Sequence, residues 1–554
     1  MRQLPASIST RALLASAAIL ASGQAAAAPS LTLIGNTPAP SGVAEINAYD
    51  SANNQLFTTH AAGLDVYDFG VGSDIVGTST IDMTAVFGAP EGGLDGISSV
   101  AIDPLGRGFG VATAIPGNNI TTVGKAVVFN TATGAILNTL DVGFHPDMVT
   151  FTPGGDVLIA NEGERDTDPL QPLGDAPGSV SRIDFAGQSL ATLPAMTGAS
   201  VLTVDFSASN LTGGASLAGI RVAPDRALTP ELDLEPEYIT ITGDKAYVTL
   251  QENSAVGVFD LVTNKWTDIQ NIDGKVQTVD ASDRDTGIGI DDSVFGLFMP
   301  DAIASYSVGG TTYYVTANEG DARDGSAGEE ARVKDLALSD FDAATVAALN
   351  GVYGDFQADD ALGRLNITTH DGNTDADPQI ERLTMYGTRS FSIFNGDTGA
   401  LVYDSGSDFE TLTAAALPDA FNSDDSNEDN FDGRSDNKGP EPEGVAVTTF
   451  QGTTLAAIGL ERIGGIMLYD ITDPNNPAFL QYLNTATFTD VEDALGTSVG
   501  PEGLSFIEVG GETFLVVSYE DSGEIDVFSV VPEPGSLALL GLGGLLVARR
   551  RRGV

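Results

Sequence analysis

Short apolar or alternating runs recur along the chain, separated by turns rich in Gly, Asn, Asp and Thr. The clearest unit runs from Gly439 to Ile471. It has a Pro-acid start, an alternating strand, a tight turn, a second strand ending in Glu, and a third strand reading apolar-x-apolar-aromatic-Asp. Relatives of this unit begin at Pro146-Asp147, Pro236-Glu237, Pro300-Asp301 and Pro501-Glu502, and two degenerate copies lie at Val43 to Phe69 and Ile97 to Gly134. Each copy predicts three antiparallel strands, and such a sheet cannot bury both faces unless neighbours stack on it. The pattern therefore predicts an all-β fold, a seven-bladed β-propeller. Leu31 to Ile34 is a lone strand before the first copy; pairing with Ile525 to Val530 would close the ring and remove an exposed edge.

Two connections break the rhythm. One is Ile272 to Met299; the other, Gly320 to Thr388, splits the fifth blade ahead of Phe391 to Phe394 and predicts a mixed insertion over residues 320–388. Within it, Leu336 to Leu349 has helical spacing after an Asp-rich start, predicting a short surface helix. Long loops on a rigid scaffold are where function usually sits.

The ends carry different signals. Residues 1–28 have Arg2 and Arg11, an apolar stretch from Ala12 to Ala21 and small residues at Ala25 to Ala28, the layout of a secretory signal peptide. The propeller then spans 29–531. Residues 532–554 hold Pro532-Glu533-Pro534, an apolar segment from Gly535 to Ala548, and Arg549 to Arg552. That apolar segment is shorter than the ~20 residues a transmembrane helix needs. The trailing arginines orient it with the propeller outside the cytoplasm.

Composition narrows the function. With no Cys, an exported chain is held by its core rather than by disulfides and has no thiolate metal ligand. With 77 acidic residues against 25 basic ones, the net charge of -52 repels nucleic acid and anionic lipid and draws cations.

The repeats place many of those acids together. The residue after Pro and the Glu ending the second strand lie at opposite ends of one hairpin, so they share one end of the blade. The pairs are Asp147 with Glu162, Glu237 with Glu252, Asp301 with Glu319, Glu443 with Glu461, and Glu502 with Glu520. This predicts a crown of carboxylates at a channel mouth. Two such charges about 6 Å apart repel by roughly 3 kcal/mol at an effective dielectric of 20. A cation, Arg side chains or protonation must compensate, unless the acids instead cap turns and bond backbone amides. Oxygen ligands without Cys favour calcium. In the second blade Ser98 and Ala114 replace the acids; in the first, Glu45 fits with a one-residue slip and His60 stands at the Glu position, as ligand or as solvated turn residue. His145 and His370 are weaker candidates.

Other signals are more local. Asp371, Asn373, Asp375 and Asp377 alternate oxygen side chains as calcium loops do, although the loop lacks the customary Gly and Glu381 falls one place early. Asp424 to Asp436 is a second acidic loop. Arg323, Arg434 and Lys438 lie in acid-rich phrases, and with Arg389 they are either tied up in ion pairs or form an anion pocket. Gly496 to Gly500 matches a nucleophile elbow, but Pro501 and a strand follow where that motif needs a helix.

The tail VPEPGSLALLGLGGLLVARRRR resembles the PEP-CTERM sorting signal. That resemblance implies export through an inner membrane, transient membrane association, and processing by an exosortase-type enzyme, with exopolysaccharide or another surface polymer as a possible partner. The phrases LEPEYI, TANEGDARD, EEARVKDL, RSDNKGPEPEGVAV and GLERIGGIMLYDITDPNNP resemble the choice-of-anchor I family, over essentially Leu31 to Val530. The family is similar to proteins labelled alkaline phosphatase or phytase-like. Two functions follow as expectations: a calcium-stabilised surface or matrix binding module, or a calcium-dependent phosphoesterase at the acidic mouth.

Overall fold

One element is repeated along the chain between residues 28 and 532, a four-stranded sheet. The structure is a computed structural model, and it describes residues 28–70, 75–163, 165, 176–323, 328–375, 377–424, 430–487 and 497–532. The expected secretory signal over residues 1–27, Glu533, Pro534 and the apolar tail lie outside the described residues. Seven such sheets follow in order, with first strands Asn47–Asp50, Leu94–Ile102, Pro146–Phe151, Pro236–Thr242, Ile303–Val308, Pro442–Phe450 and Pro501–Val509. The fold is all-β, with two α-helices among the described residues.

Each first strand packs beside the first strand of the next sheet, and that of the seventh beside that of the first. The apolar side chains follow the same order. Phe57, Val66, Val100 and Phe129 join sheets one and two, while Leu56, Tyr67, Phe514 and Val527 join sheets seven and one. Burial of such side chains contributes roughly 1.5–3 kcal/mol each, so the interfaces between sheets hold the fold.

Sheet seven is completed by the chain's own beginning. Pro29–Pro38 lies outside Glu524–Pro532, with Glu512–Tyr519 and then Pro501–Val509 following inward, and covers an edge that would otherwise be open. Leu31 is buried against Phe528 and Val530.

Two expectations need correction. The unit has four strands rather than three; the outer ones, such as Ile75–Asp82 and Ile136–Asp141, are mostly exposed and so carry no regular apolar alternation. The helix of the insertion starts later than its apolar spacing suggested, running over Ala343–Tyr353 with Asp342 accepting from the Ala344 and Thr345 amides. Val333–Asp335 and Leu338–Asp340 are instead 3-10 turns, since that side-chain cap fixes where the helix can begin.

The two long connections are not independent loops. Gly274–Val279 and Asp292–Leu297 form a hairpin, joined in parallel by Thr384–Met385 from the insertion. Val279 and Val294 share a core with Phe341, Phe356 and Leu362.

Candidate functional site: a crown of buried carboxylates

Four of the Pro-acid starts sit at a β-bulge. The register shifts between Pro146 and Val149, Pro236 and Ile239, Pro442 and Val445, and Pro501 and Gly503. A bulge opposes two residues to one and re-aims the side chains there. Proline suits the first position because the first strand is a sheet edge and Pro leaves no N–H unpaired. The acid follows at once, and the residue after it, Met148, Tyr238, Ala302, Gly444 or Gly503, lines a central cavity.

Glycine at two of these places is required by close approach. A Cβ on Gly444 would stand 2.3 Å from the Glu502 carbonyl oxygen, and one on Gly503 would stand 2.4 Å from that of Glu45. Neighbouring first strands therefore nearly touch at this end.

The acids converge as their spacing implies. Burial, then Glu162, Glu252, Asp147 and Asp301, push the Glu237 carboxyl well above the usual range. Burial and Glu319, Asp147 and Glu252 do the same to Asp301, against the pull of Lys438. Glu443 is raised by burial, Glu461, Glu502, Glu319 and Asp301; Glu502 by burial, Glu45, Glu520, Asp301 and Asp147. Glu45 joins the crown from sheet one, raised to about 8 by burial, Glu520 and Asp147. Oxygens of Asp301, Glu319 and Glu443 lie within 4.8 Å of one another. Buried oxygens of Glu252, Glu443, Glu461 and Glu502 have no hydrogen-bond partner.

One flank of the crown is neutralised. Glu441 accepts from Arg434 at 2.8 Å and stands 3.3 Å from both Lys438 and Arg462. Burial opposes its ionisation, but those three cations overcome it and hold the carboxyl at about 2. Lys438 also donates to Glu319 at 2.6 Å, whose other oxygen accepts from Gln251 at 3.0 Å; Arg462 reaches Glu461 at 2.6 Å.

The four basic candidates are therefore all committed to carboxylates. Arg323 is fully buried, 2.9 Å from Asp233. Arg389 donates to Glu410 at 2.8 Å and to the carbonyls of Asp280, Ser435 and Asn437, pinning the second helix, Asp408–Ala416, to the 435–437 segment. Arg434 and Lys438 face Glu441.

The other candidates separate. Asp375, Asp377 and Glu381 bring oxygens within 4.8 Å on an exposed loop, but Asp371 turns away to Arg221 at 2.8 Å and Asn373 bonds the Asp377 carbonyl. Residues 425–429 of the second acidic loop, and Gly496 of the elbow-like run, lie outside the described residues. His60 is buried rather than solvated: its Nδ1 accepts from the Ala62 amide, and burial lowers its pKa. His145 lies 3.2 Å from Glu162, and His370 3.7 Å from Glu329. Ser98 bonds Thr113 and the Pro146 carbonyl, so sheet two contributes hydroxyls where the others contribute acids.

Sequence reasoning missed Glu235, Glu441 and Tyr238. The doubled phrase Glu-Pro-Glu, at Glu235 to Glu237 and Glu441 to Glu443, was the available signal for the first two. Glu235 is buried against Glu252, which burial raises to about 7 despite Arg323. Tyr238 sits among the crown acids, its phenol raised by burial and then by Glu502, Asp301, Asp147 and Glu443.

The fold and site define a class: an all-β protein of consecutive four-stranded sheets whose first strands present acids at one end. The chain belongs to the choice-of-anchor I family, whose domain matches residues 45–474. Residues 530–552 match the PEP-CTERM protein-sorting motif, which marks an exported surface protein processed by an exosortase-type sorting enzyme. Among relatives, Gigasin-3a of Magallana gigas is 30% identical over 189 residues, covering 31% of this chain and 66% of its own length. A mesenchyme-specific cell surface glycoprotein of Strongylocentrotus purpuratus is 29% identical over 233 residues, 36% of this chain and 29% of the relative. The matched parts thus fall short of two thirds of either relative. Among solved structures, the hydrazine synthase of Kuenenia stuttgartiensis superposes with TM-score 0.45 at 10% identity, over 89% of this chain and 97% of that one. A putative 6-phosphogluconolactonase of Bacteroides uniformis gives 0.40 at 13% identity, over 88% and 90%. Among the described residues, no helix is long and apolar enough to cross a membrane.

Proposed function

We propose that this protein is a surface-displayed binding module built as a closed seven-bladed β-propeller, with calcium held in the crown. The cyclic contacts of the first strands and the shared apolar clusters support the closed ring. The observation that carries the calcium reading is the trio Asp301, Glu319 and Glu443, with its unpartnered Glu443 oxygen; Glu319 would be shared with Lys438 and Gln251. The donor set fits: calcium takes six to eight hard oxygens, and three carboxylates leave room for waters or for Asp147, Glu237 and Glu502 nearby. Bound there, the ion would offset the mutual repulsion of the central acids and fix the narrow end of the ring. Asp375, Asp377 and Glu381 form a weaker second place for calcium, being exposed.

Display outside the cell follows from the sorting motif, and a relative named as a cell surface glycoprotein is in keeping with it. Exopolysaccharide or a similar surface polymer is the partner class in this reading. The alternative, a calcium-dependent phosphoesterase, drew on an anion pocket of Arg323, Arg389, Arg434 and Lys438, and all four already face carboxylates. The test is thermal unfolding of the purified protein with calcium and with chelator. Calcium should raise the midpoint, and Glu443→Gln should remove most of that rise; a midpoint indifferent to calcium contradicts the reading.

A further inference from the structure

Below the crown, the first strands of all seven sheets enclose a cavity of about 400 Å³. Its wall mixes apolar residues, Ile46, Ala48, Met148, Phe151, Val445 and Leu504, with the polar Asn47, Ser99 and Thr150. At the crown end the lining changes to Glu502 and Tyr238. One Glu502 oxygen is buried there without a hydrogen-bond partner. Among the described residues no Lys or Arg lines the cavity; the cations of the site are gathered on the Glu441 flank.

We propose that this cavity binds a primary alkylammonium group, the chemistry shared by a lysine side chain and a free aliphatic amine, with the ammonium against Glu502 and Tyr238 and the stem along the apolar wall. The inference rests on the binding-module reading and names its ligand chemistry. Each alternative ligand leaves something unmet. An anion is repelled by the crown. A hydrated divalent ion would set its water shell against Ile46, Met148 and Val445. A neutral chain fills the apolar wall but leaves the buried Glu502 oxygen unpaired, which costs about 1–3 kcal/mol or more.

An ammonium meets both demands. It supplies three donors to Glu502 and the Tyr238 oxygen, and charge-assisted hydrogen bonds of this kind are about twice as strong as neutral ones. The lining reaches from Glu502 and Gly503 to Tyr49 and Ile102. On the first strand of sheet one this spans Ile46 to Tyr49, about 10 Å at ~3.3 Å per residue. That length suits an unbranched stem of a few carbons. Ala48 lines the cavity beside the core shared by sheets one and two, and a Phe there would take up part of its volume.

The test is isothermal titration calorimetry on the purified, calcium-free protein with hexylammonium, hexan-1-ol and hexanoate. Hexylammonium should bind at least tenfold tighter than hexan-1-ol, and hexanoate should give no heat. Glu502→Gln should remove that tenfold advantage. Ala48→Phe, which fills the wall without touching charge, should abolish binding of both the amine and the alcohol; its unfolding midpoint verifies that it is folded. Equal affinity for amine and alcohol, an unchanged advantage in Glu502→Gln, or no heat from hexylammonium would each overturn the proposal. A blocked lysine, acetyl-lysine methylamide, distinguishes the sources: binding on a par with hexylammonium points to a protein lysine, and much weaker binding to a free amine. The calcium response of the same preparation separates this inference from the reading beneath it. If calcium still raises the midpoint while hexylammonium does not bind, only the cavity proposal falls.

Discussion

Glu441 and Glu443 stand on either side of Pro442, both deep in the protein, and they are opposite in state. Glu441 is surrounded by Lys438, Arg434 and Arg462, which hold it ionised. Burial and four neighbouring carboxylates, Glu461, Glu502, Glu319 and Asp301, push the proton affinity of Glu443 up. The first is a finished ion-pair network. The second, with an unpartnered oxygen, is an unfinished one. The difference teaches that acid density alone does not mark a ligand site: what marks it is buried carboxylate that the protein's own cations do not satisfy.

The largest effect should come from breaking the finished side. Glu441→Gln removes the carboxylate that three buried or half-buried cations share, leaving Lys438 with Glu319 and Arg462 with Glu461, and should cost about 3–5 kcal/mol in urea unfolding, with or without calcium. Glu443→Gln should do the reverse in chelator, leaving stability equal or higher by relieving repulsion.

Acidity sharpens the contrast next. Glu45 and Glu252 have folded pKa values of about 8 and about 7, above their ordinary 4.5. The folded state therefore binds their protons more tightly than the unfolded chain, and the stability they contribute is lost as pH rises from about 4.5 to 8. Glu441, held at about 2, contributes stability that is lost as pH falls below about 4.5. In chelator the unfolding midpoint should peak in the mildly acidic range between these limbs. Calcium should flatten the alkaline limb only, which pH-resolved calorimetry can measure.

A smaller effect tests the geometry that packs the acids together. Gly503→Ala drives a methyl against the Glu45 carbonyl at 2.4 Å and should cost about 1–3 kcal/mol in urea unfolding. The smallest should be Asp375→Asn on the exposed loop, which should change the calcium-induced rise in midpoint far less than Glu443→Gln does.

The parts of this contrast were unequally legible in sequence. Pro followed by an acid at one strand start, and Glu at the end of the next, fixes both acids at one end of a hairpin, so the convergence of Asp147, Glu237, Asp301, Glu443 and Glu502 could be read from spacing. The closing strand could be read because Leu31 begins an apolar run with no partner nearby. The outer strands could not, because a strand such as Ile136–Asp141 is largely exposed and shows no alternation. Nor could the state of each acid. Which carboxylates Lys438, Arg434 and Arg462 reach depends on how a segment between sheets five and six folds against the crown, and local spacing holds no record of that. The core that unites Val279 with Phe341 was hidden for the same reason: two connections that look like separate loops bury their apolar residues against each other.

The central claim is that the unsatisfied side of the crown takes calcium. The most direct measurement is anomalous diffraction from crystals of the protein grown with calcium or its luminescent analogue terbium. The account expects a peak about 2.3–2.6 Å from oxygens of Asp301, Glu319 and Glu443, absent in Glu443→Gln. A crown without a peak, while the exposed loop at Asp375, Asp377 and Glu381 carries one, would contradict it.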